Sequence, residues 1–165
     1  ELGVKTFFNM LGPLVNPSSP KNQLTGVFNL ELARLYGYLF EKTDKNYSIL
    51  FSLDGYDEIS LTCPAKVISN NSERILYPED FSISPIKDVD IKGGDTVSSS
   101  SEIFLNVIKN KATEAQHNVV CVNAGMAIST ALQLSILEGY EKAKESLISG
   151  KAFESLKKLQ KISKE

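Results

Sequence analysis

The run YSILFSL at residues 47–53, followed at once by DGYDE at 54–58, constrains this chain more than any other stretch. Its apolar residues do not alternate with polar ones, so neither face of the strand it forms is meant for water. A strand buried on both faces needs cover from two sides, and helices supply it most readily. The segments around it fit that requirement. QLTGVF at 23–28 is β-prone, and Asn29 is placed to cap a helix over 30–42 whose core stripe would be Leu32, Leu35, Tyr36, Leu39 and Phe40. AKVISN (65–70) and ERILYP (73–78) read as a strand pair across residues 70–72.

Residues 79–100 are irregular and end in GGDTVSSSS, whose last serines read as the approach to and cap of the next helix. From there the pattern is helical to the end. One segment carries Ile103, Phe104, Val107 and Ile108. The next, ATEAQHNVVCVNAGMAISTAL, is apolar nearly all round and so predicts a central buried helix. A third carries Leu137, Tyr140, Ala143 and Leu147 and closes at Gly150, and a last one runs over 152–162. The fold class is therefore α/β, a mixed sheet flanked by helices. At the other end, VKTFFNML (4–11) has helical spacing stopped by Gly12-Pro13, with Asn16-Pro17 close behind. So rigid a stretch at a terminus, where chains usually fray, suggests a cut through a larger protein.

Charge and cysteine usage narrow the function classes. The net charge of −2 gives no bulk attraction to nucleic acid or an anionic membrane. Two cysteines, Cys63 and Cys121, lack zinc-ligand spacing, and the lone His117 adds too little. They read as reduced thiols, and His117 as a surface helix residue. No apolar run reaches the length that spans a bilayer, and the expectation is a soluble, cytoplasmic protein.

The DGYDE stretch is the outstanding chemical candidate. Asp57 and Glu58 stand beside a turn at the end of a buried strand, where neighbouring side chains can be aimed at one place. Two adjacent carboxylates suit Mg²⁺, which takes one or two protein oxygens and completes its octahedron with waters and phosphates. The same pattern is also that of an ordinary acidic surface turn. Lys5, beside Phe7 and Phe8, could receive a planar anion or simply be solvated. GGDT at 93–96 reads as a tight turn, since no strand leads directly into it as a phosphate cradle would need. Asn123, inside the apolar helix, reads as a satisfied amide that fixes packing.

Taken in order, LGVKTFFNMLGPLVNP, QLTGVF, DGYDEISL, GGDTVSSSSEIFLNVI and NVVCVNAGMAI resemble the anthranilate phosphoribosyltransferases of tryptophan biosynthesis, and the tail EGYEKAKESLISGKAFESLKKL extends the likeness over essentially the whole chain. The resemblance implies a nucleoside phosphorylase/phosphoribosyltransferase-like large domain, incomplete at its N-terminal side. Residues 1–20 would be a hinge and helical-domain segment, and 21–165 the C-terminal part of the α/β domain. It implies Mg²⁺ at Asp57 and Glu58, the anthranilate carboxylate at Lys5, phosphoribosyl pyrophosphate as donor, and a homodimer at full length. Its reaction is transfer of the phosphoribosyl group to anthranilate, which needs no protein nucleophile.

Two departures stand out. Lys5 occupies a position where the family usually has Arg, so a point charge replaces a planar fork and orients the acceptor more loosely. LFS at 50–52 replaces a Val-His-Gly sequence. The family's glycine-rich donor loop lies upstream in its members, and IKGGD at 91–95 is on the wrong side of DGYDE to replace it. The isolated chain would then be catalytically incomplete. The alternatives are a pyrimidine nucleoside phosphorylase-like enzyme and a non-catalytic folding or dimerisation module.

Overall fold

A computed structural model describes residues 8–70 and 72–163. Its centre is a mixed four-stranded sheet in the order β1-β2-β3-β4. β1 (Asn22–Gly26) runs parallel to β2 (Asn46–Ser52), with Gly26 opposite Leu50. Helix α2 (Leu30–Phe40) makes the crossover that parallel neighbours require. β3 (Ala65–Ser69) and β4 (Ser72–Leu76) form the expected hairpin, antiparallel to β2 and to each other. The Asn70 side chain accepts from the Tyr47 N–H (2.8 Å) and donates to the Lys45 carbonyl (2.7 Å), so the hairpin end is pinned to the start of β2.

β2 is covered on both sides, as its composition demands. Tyr47 and Ile49 face α2 and share a core with Val27, Leu32, Ala33, Tyr36 and Phe40. Leu50 faces the opposite layer, whose larger core joins Val67, Val122, Met126 and Tyr140. That layer holds α3 (Val97–Ile108), α4 (Glu114–Leu132) and α5 (Ile136–Ile148), with α6 (Lys151–Ile162) following. At the start of the described chain, the short helix α1 (Phe8–Leu11) leads into a 3-10 turn over Gly12–Leu14. Met10 and Leu14 pack on the α2 core, while the Tyr36 hydroxyl donates to the Met10 carbonyl and the Gln23 amide to that of Pro13, both at 2.5 Å.

Four sequence expectations need correction. Asn29 caps α2 as expected, accepting from the Leu32 N–H at 2.8 Å, but the buried stripe is Leu32, Ala33, Tyr36, Gly37 and Phe40. Leu35 and Leu39 are exposed, because the contact with the sheet follows the 32–36–40 row and lets Gly37 come close to Ile68. The cap of α3 is Thr96, not a serine of the run. Thr96 and Ser99 exchange reciprocal side-chain bonds with each other's N–H, and the serines occupy the helix itself. α4 buries one face through Cys121, Val122, Gly125, Met126 and Ser129 and leaves Val120, Ala124 and Ala127 exposed. His117 is half-buried, and its Nε2 is enclosed with no hydrogen-bond partner among the described residues.

Candidate metal-binding turn

The carboxyl ends of the parallel pair β1 and β2 lie side by side, the edge at which open α/β sheets present their ligand sites. The DGYDE segment leaves β2 there and folds back on itself. Within it the Gly55 N–H donates to the Ser52 carbonyl (2.9 Å), and the Ser52 N–H to the Tyr56 carbonyl (3.0 Å). Gly55 sits at φ +96°, where an L side chain would be strained.

Asp54 is spent on this turn rather than on a ligand. Its Oδ2 accepts from the Ser60 hydroxyl at 3.0 Å and from the Thr62 hydroxyl, and Ser60 in turn adjoins the buried Ser52. Partial burial pushes the Asp54 carboxyl up, but the hydrogen bonds from Thr62, Cys63, Ser60 and the Tyr56 main chain outweigh it, so the group stays below the usual carboxylate range. The Cys63 thiol moves up, through burial and then the adjacent Asp54.

Asp57 and Glu58 differ from Asp54. All three are exposed, but neither the Asp57 nor the Glu58 carboxylate has a hydrogen bond or ion pair among the described residues. The Asp57 main chain lies against the end of β1, where a Cβ on Gly26 would overlap the Asp57 carbonyl oxygen. Glu58 lines a cleft of about 420 Å³ with Tyr56 and Ser60, faced by Asp88, Lys92 and Gly93 from the loop before α3. Lys92 pairs with Asp95 at 3.1 Å. The GGDT segment is a turn, as expected: its Gly94 packs on Ser99 and Ser100, and the helix N-terminus behind it is occupied by its own cap.

The donor set fits Mg²⁺. Two hard, uncommitted carboxylates stand on a fixed turn, and no group of three or more ligating side chains occurs among the described residues. A cation that fills most of its shell with waters and phosphate oxygens asks for no more than this from the protein. Lys5 lies outside the described residues.

Sequence comparison gives these features a context. A family model described as "Glycosyl transferase family, a/b domain" matches residues 1–153. The chain belongs to this family. Relatives named anthranilate phosphoribosyltransferase include those of Christiangramia forsetii, 65% identical over 163 residues, and Bacteroides thetaiotaomicron, 49% identical over 158. These alignments take in 99% and 95% of this chain but 49% and 48% of the relatives, so the chain spans about half their length. The fold agrees. An anthranilate phosphoribosyltransferase structure from Thermus thermophilus superposes with a TM-score of 0.86 at 26% identity, over 94% of this chain and 47% of that one. The Saccharomyces cerevisiae protein in complex with PRPP and Mg superposes at 0.81 with 24% identity, over 94% and 45%, a likeness of fold.

Two features of the turn were not singled out from sequence as parts of the site. Gly26 carried a signal, since a glycine inside a strand pattern often marks close backbone approach. The pairing of Asp54 with Ser60 and Thr62 spans a loop whose course sequence does not disclose.

Proposed function

We propose that this glycosyl transferase family chain serves phosphoribosyl transfer from phosphoribosyl pyrophosphate to anthranilate, giving N-(5-phosphoribosyl)anthranilate and pyrophosphate. The observation that carries the reading is the uncommitted Asp57–Glu58 pair, held beyond the carboxyl ends of β1 and β2. The names of the relatives and the PRPP–Mg complex of the yeast protein support it.

In this reading Asp57 and Glu58 hold Mg²⁺. The ion, when bound, neutralises charge on the departing pyrophosphate. The chain's own residues supply rigidity. Asp54, through Ser60 and Thr62, closes the turn, and Gly26 lets it seat against β1. A carboxylate pair on a fixed backbone gives up little conformational freedom when its ligand arrives. Lys5 supplies a positive charge for the anthranilate carboxylate, an assignment that rests on the sequence resemblance. Residues 1–20 serve as hinge and helical-domain segment, and 21–165 as the C-terminal part of the α/β domain.

The test is a chimera in which this chain replaces the matching half of the Christiangramia forsetii relative. Loss of anthranilate fluorescence should follow addition of phosphoribosyl pyrophosphate and Mg²⁺. Asp57→Asn and Glu58→Gln should each raise the Mg²⁺ concentration for half-maximal rate, by roughly 10- to 100-fold. A folded chimera without metal-dependent loss would reduce the likeness to one of fold. Unchanged Mg²⁺ dependence in both variants would make the pair a surface turn.

A further inference from the structure

Asn123 stands 64 residues in sequence from Ile59, the residue that follows the acidic turn, and bonds to its main chain directly. Its Oδ1 accepts from the Ile59 N–H at 2.9 Å, and its Nδ2 donates to the Ile59 carbonyl at 2.8 Å. The second Nδ2 hydrogen goes to the Val119 carbonyl, one helical turn back on α4, at 2.9 Å. Both donors and the acceptor oxygen of the amide are thus engaged, which fixes its orientation. The arrangement treats Ile59 as a neighbouring strand would, although the partner is a helix side chain.

The Ile59 N–H belongs to the same planar peptide unit as the Glu58 carbonyl. Fixing that N–H therefore fixes the plane that follows Glu58. The plane before Glu58 is confined by packing, since its Asp57 carbonyl lies against Gly26. The plane before Asp57 is set by the Tyr56 carbonyl, which accepts from the Ser52 N–H. Of the three peptide units that bracket the two carboxylates, the outer two are hydrogen-bonded and the middle one is confined by packing, and only two backbone torsions per residue lie between them. Two of the anchors come from the strands themselves. The third comes from α4, and the Ile59 side chain is buried alongside it.

We propose that Asn123 is a positioning residue for the metal-binding pair: by clamping the main chain of Ile59 it sets the backbone from which Glu58 projects, and so ties the packing of α4 to cation affinity. The inference rests on the metal reading of Asp57 and Glu58. A purely structural amide would stabilise the fold without changing how the pair holds a cation.

Terbium(III) bound to the 165-residue chain, followed by its tyrosine-sensitised emission, separates the two. Asp57→Asn/Glu58→Gln should abolish saturable emission. Asn123→Ala should weaken half-saturation by about tenfold, and Asn123→Asp, which turns an oxygen toward the Ile59 and Val119 carbonyls, by at least as much. Unaltered terbium affinity in folded Asn123→Ala would overturn the proposal while leaving the metal reading intact. Emission unaffected by the acid substitutions would overturn the metal reading, and the inference with it. A second measurement needs no variant. In the unsubstituted chain, saturating Mg²⁺ should slow amide hydrogen exchange at Ile59, and exchange that does not respond would overturn the coupling.

Discussion

At the scale of single residues, the three carboxylates of DGYDE have separate fates that their spacing does not reveal. Asp54 accepts from the Ser60 and Thr62 hydroxyls, whereas Asp57 and Glu58 are uncommitted among the described residues. The carboxyl of Asp54 is held below its ordinary range in the folded state, so its contribution to stability is complete above the unfolded value of about 4 and is lost as pH falls through the folded one. Asp54→Asn should accordingly lower Tm at pH 7, by about 2–4 °C if roughly 1 kcal/mol of hydrogen bonding is lost. Thermal unfolding at pH 7 and again at pH 3 checks the sign, since the gap between parent and variant should narrow in acid. A constant gap would mean that the charge of Asp54 plays no part. Gly26 gives a second prediction. An added methyl meets the Asp57 carbonyl, so Gly26→Ala should cost about 1–3 kcal/mol in urea unfolding. Gly93→Ala, with open space around it, should be close to neutral.

At the scale of elements, local chemistry was readable and the direction of burial was not. The Asn29 cap, the two-sided burial of β2, the β3–β4 hairpin and the left-handed Gly150 after α5 all follow from residues adjacent in sequence. Leu35 and Leu39 misled because either of two overlapping stripes could have faced the sheet, and only the close approach at Gly37 selects one. The same holds for α4, whose apolar surface exceeds what α5 and the sheet can cover. α4 and α5 meet at two glycines: a Cβ on Gly125 would lie 2.7 Å from the Tyr140 Cα, and one on Gly139 would overlap the Gly125 carbonyl. Cys121 lies on the buried face of α4, and burial pushes its thiol up, so it should react with alkylating reagents only when the helix opens. Gly139→Ala forces the two helices apart and should speed Cys121 alkylation roughly 5- to 150-fold, as a loss of about 1–3 kcal/mol implies. Mass spectrometry after timed alkylation reads this directly, and an unchanged rate would show that the crossing tolerates the methyl.

At the scale of the whole molecule, the chain carries an acidic turn with no phosphate-binding basic cluster beside it among the described residues. Among the described residues Lys92 is the one cation lining the Glu58 cleft, and it is paired with Asp95. Two carboxylates alone hold Mg²⁺ weakly, because its remaining positions go to water when no phosphate bridges them. The chain spans about half the length of the relatives it matches. The isolated 165-residue chain should therefore bind Mg²⁺ with a dissociation constant of about 1 mM or weaker, about −4 kcal/mol of binding free energy. Phosphoribosyl pyrophosphate should tighten it little. Calorimetric titration with Mg²⁺, with and without the donor, tests both statements, and a parallel anthranilate fluorescence trace should stay flat. Turnover by the isolated chain would mean that these residues supply a complete donor site. Strong synergy between metal and donor without turnover would mean instead that they assemble the pyrophosphate side unaided and lack only the acceptor side.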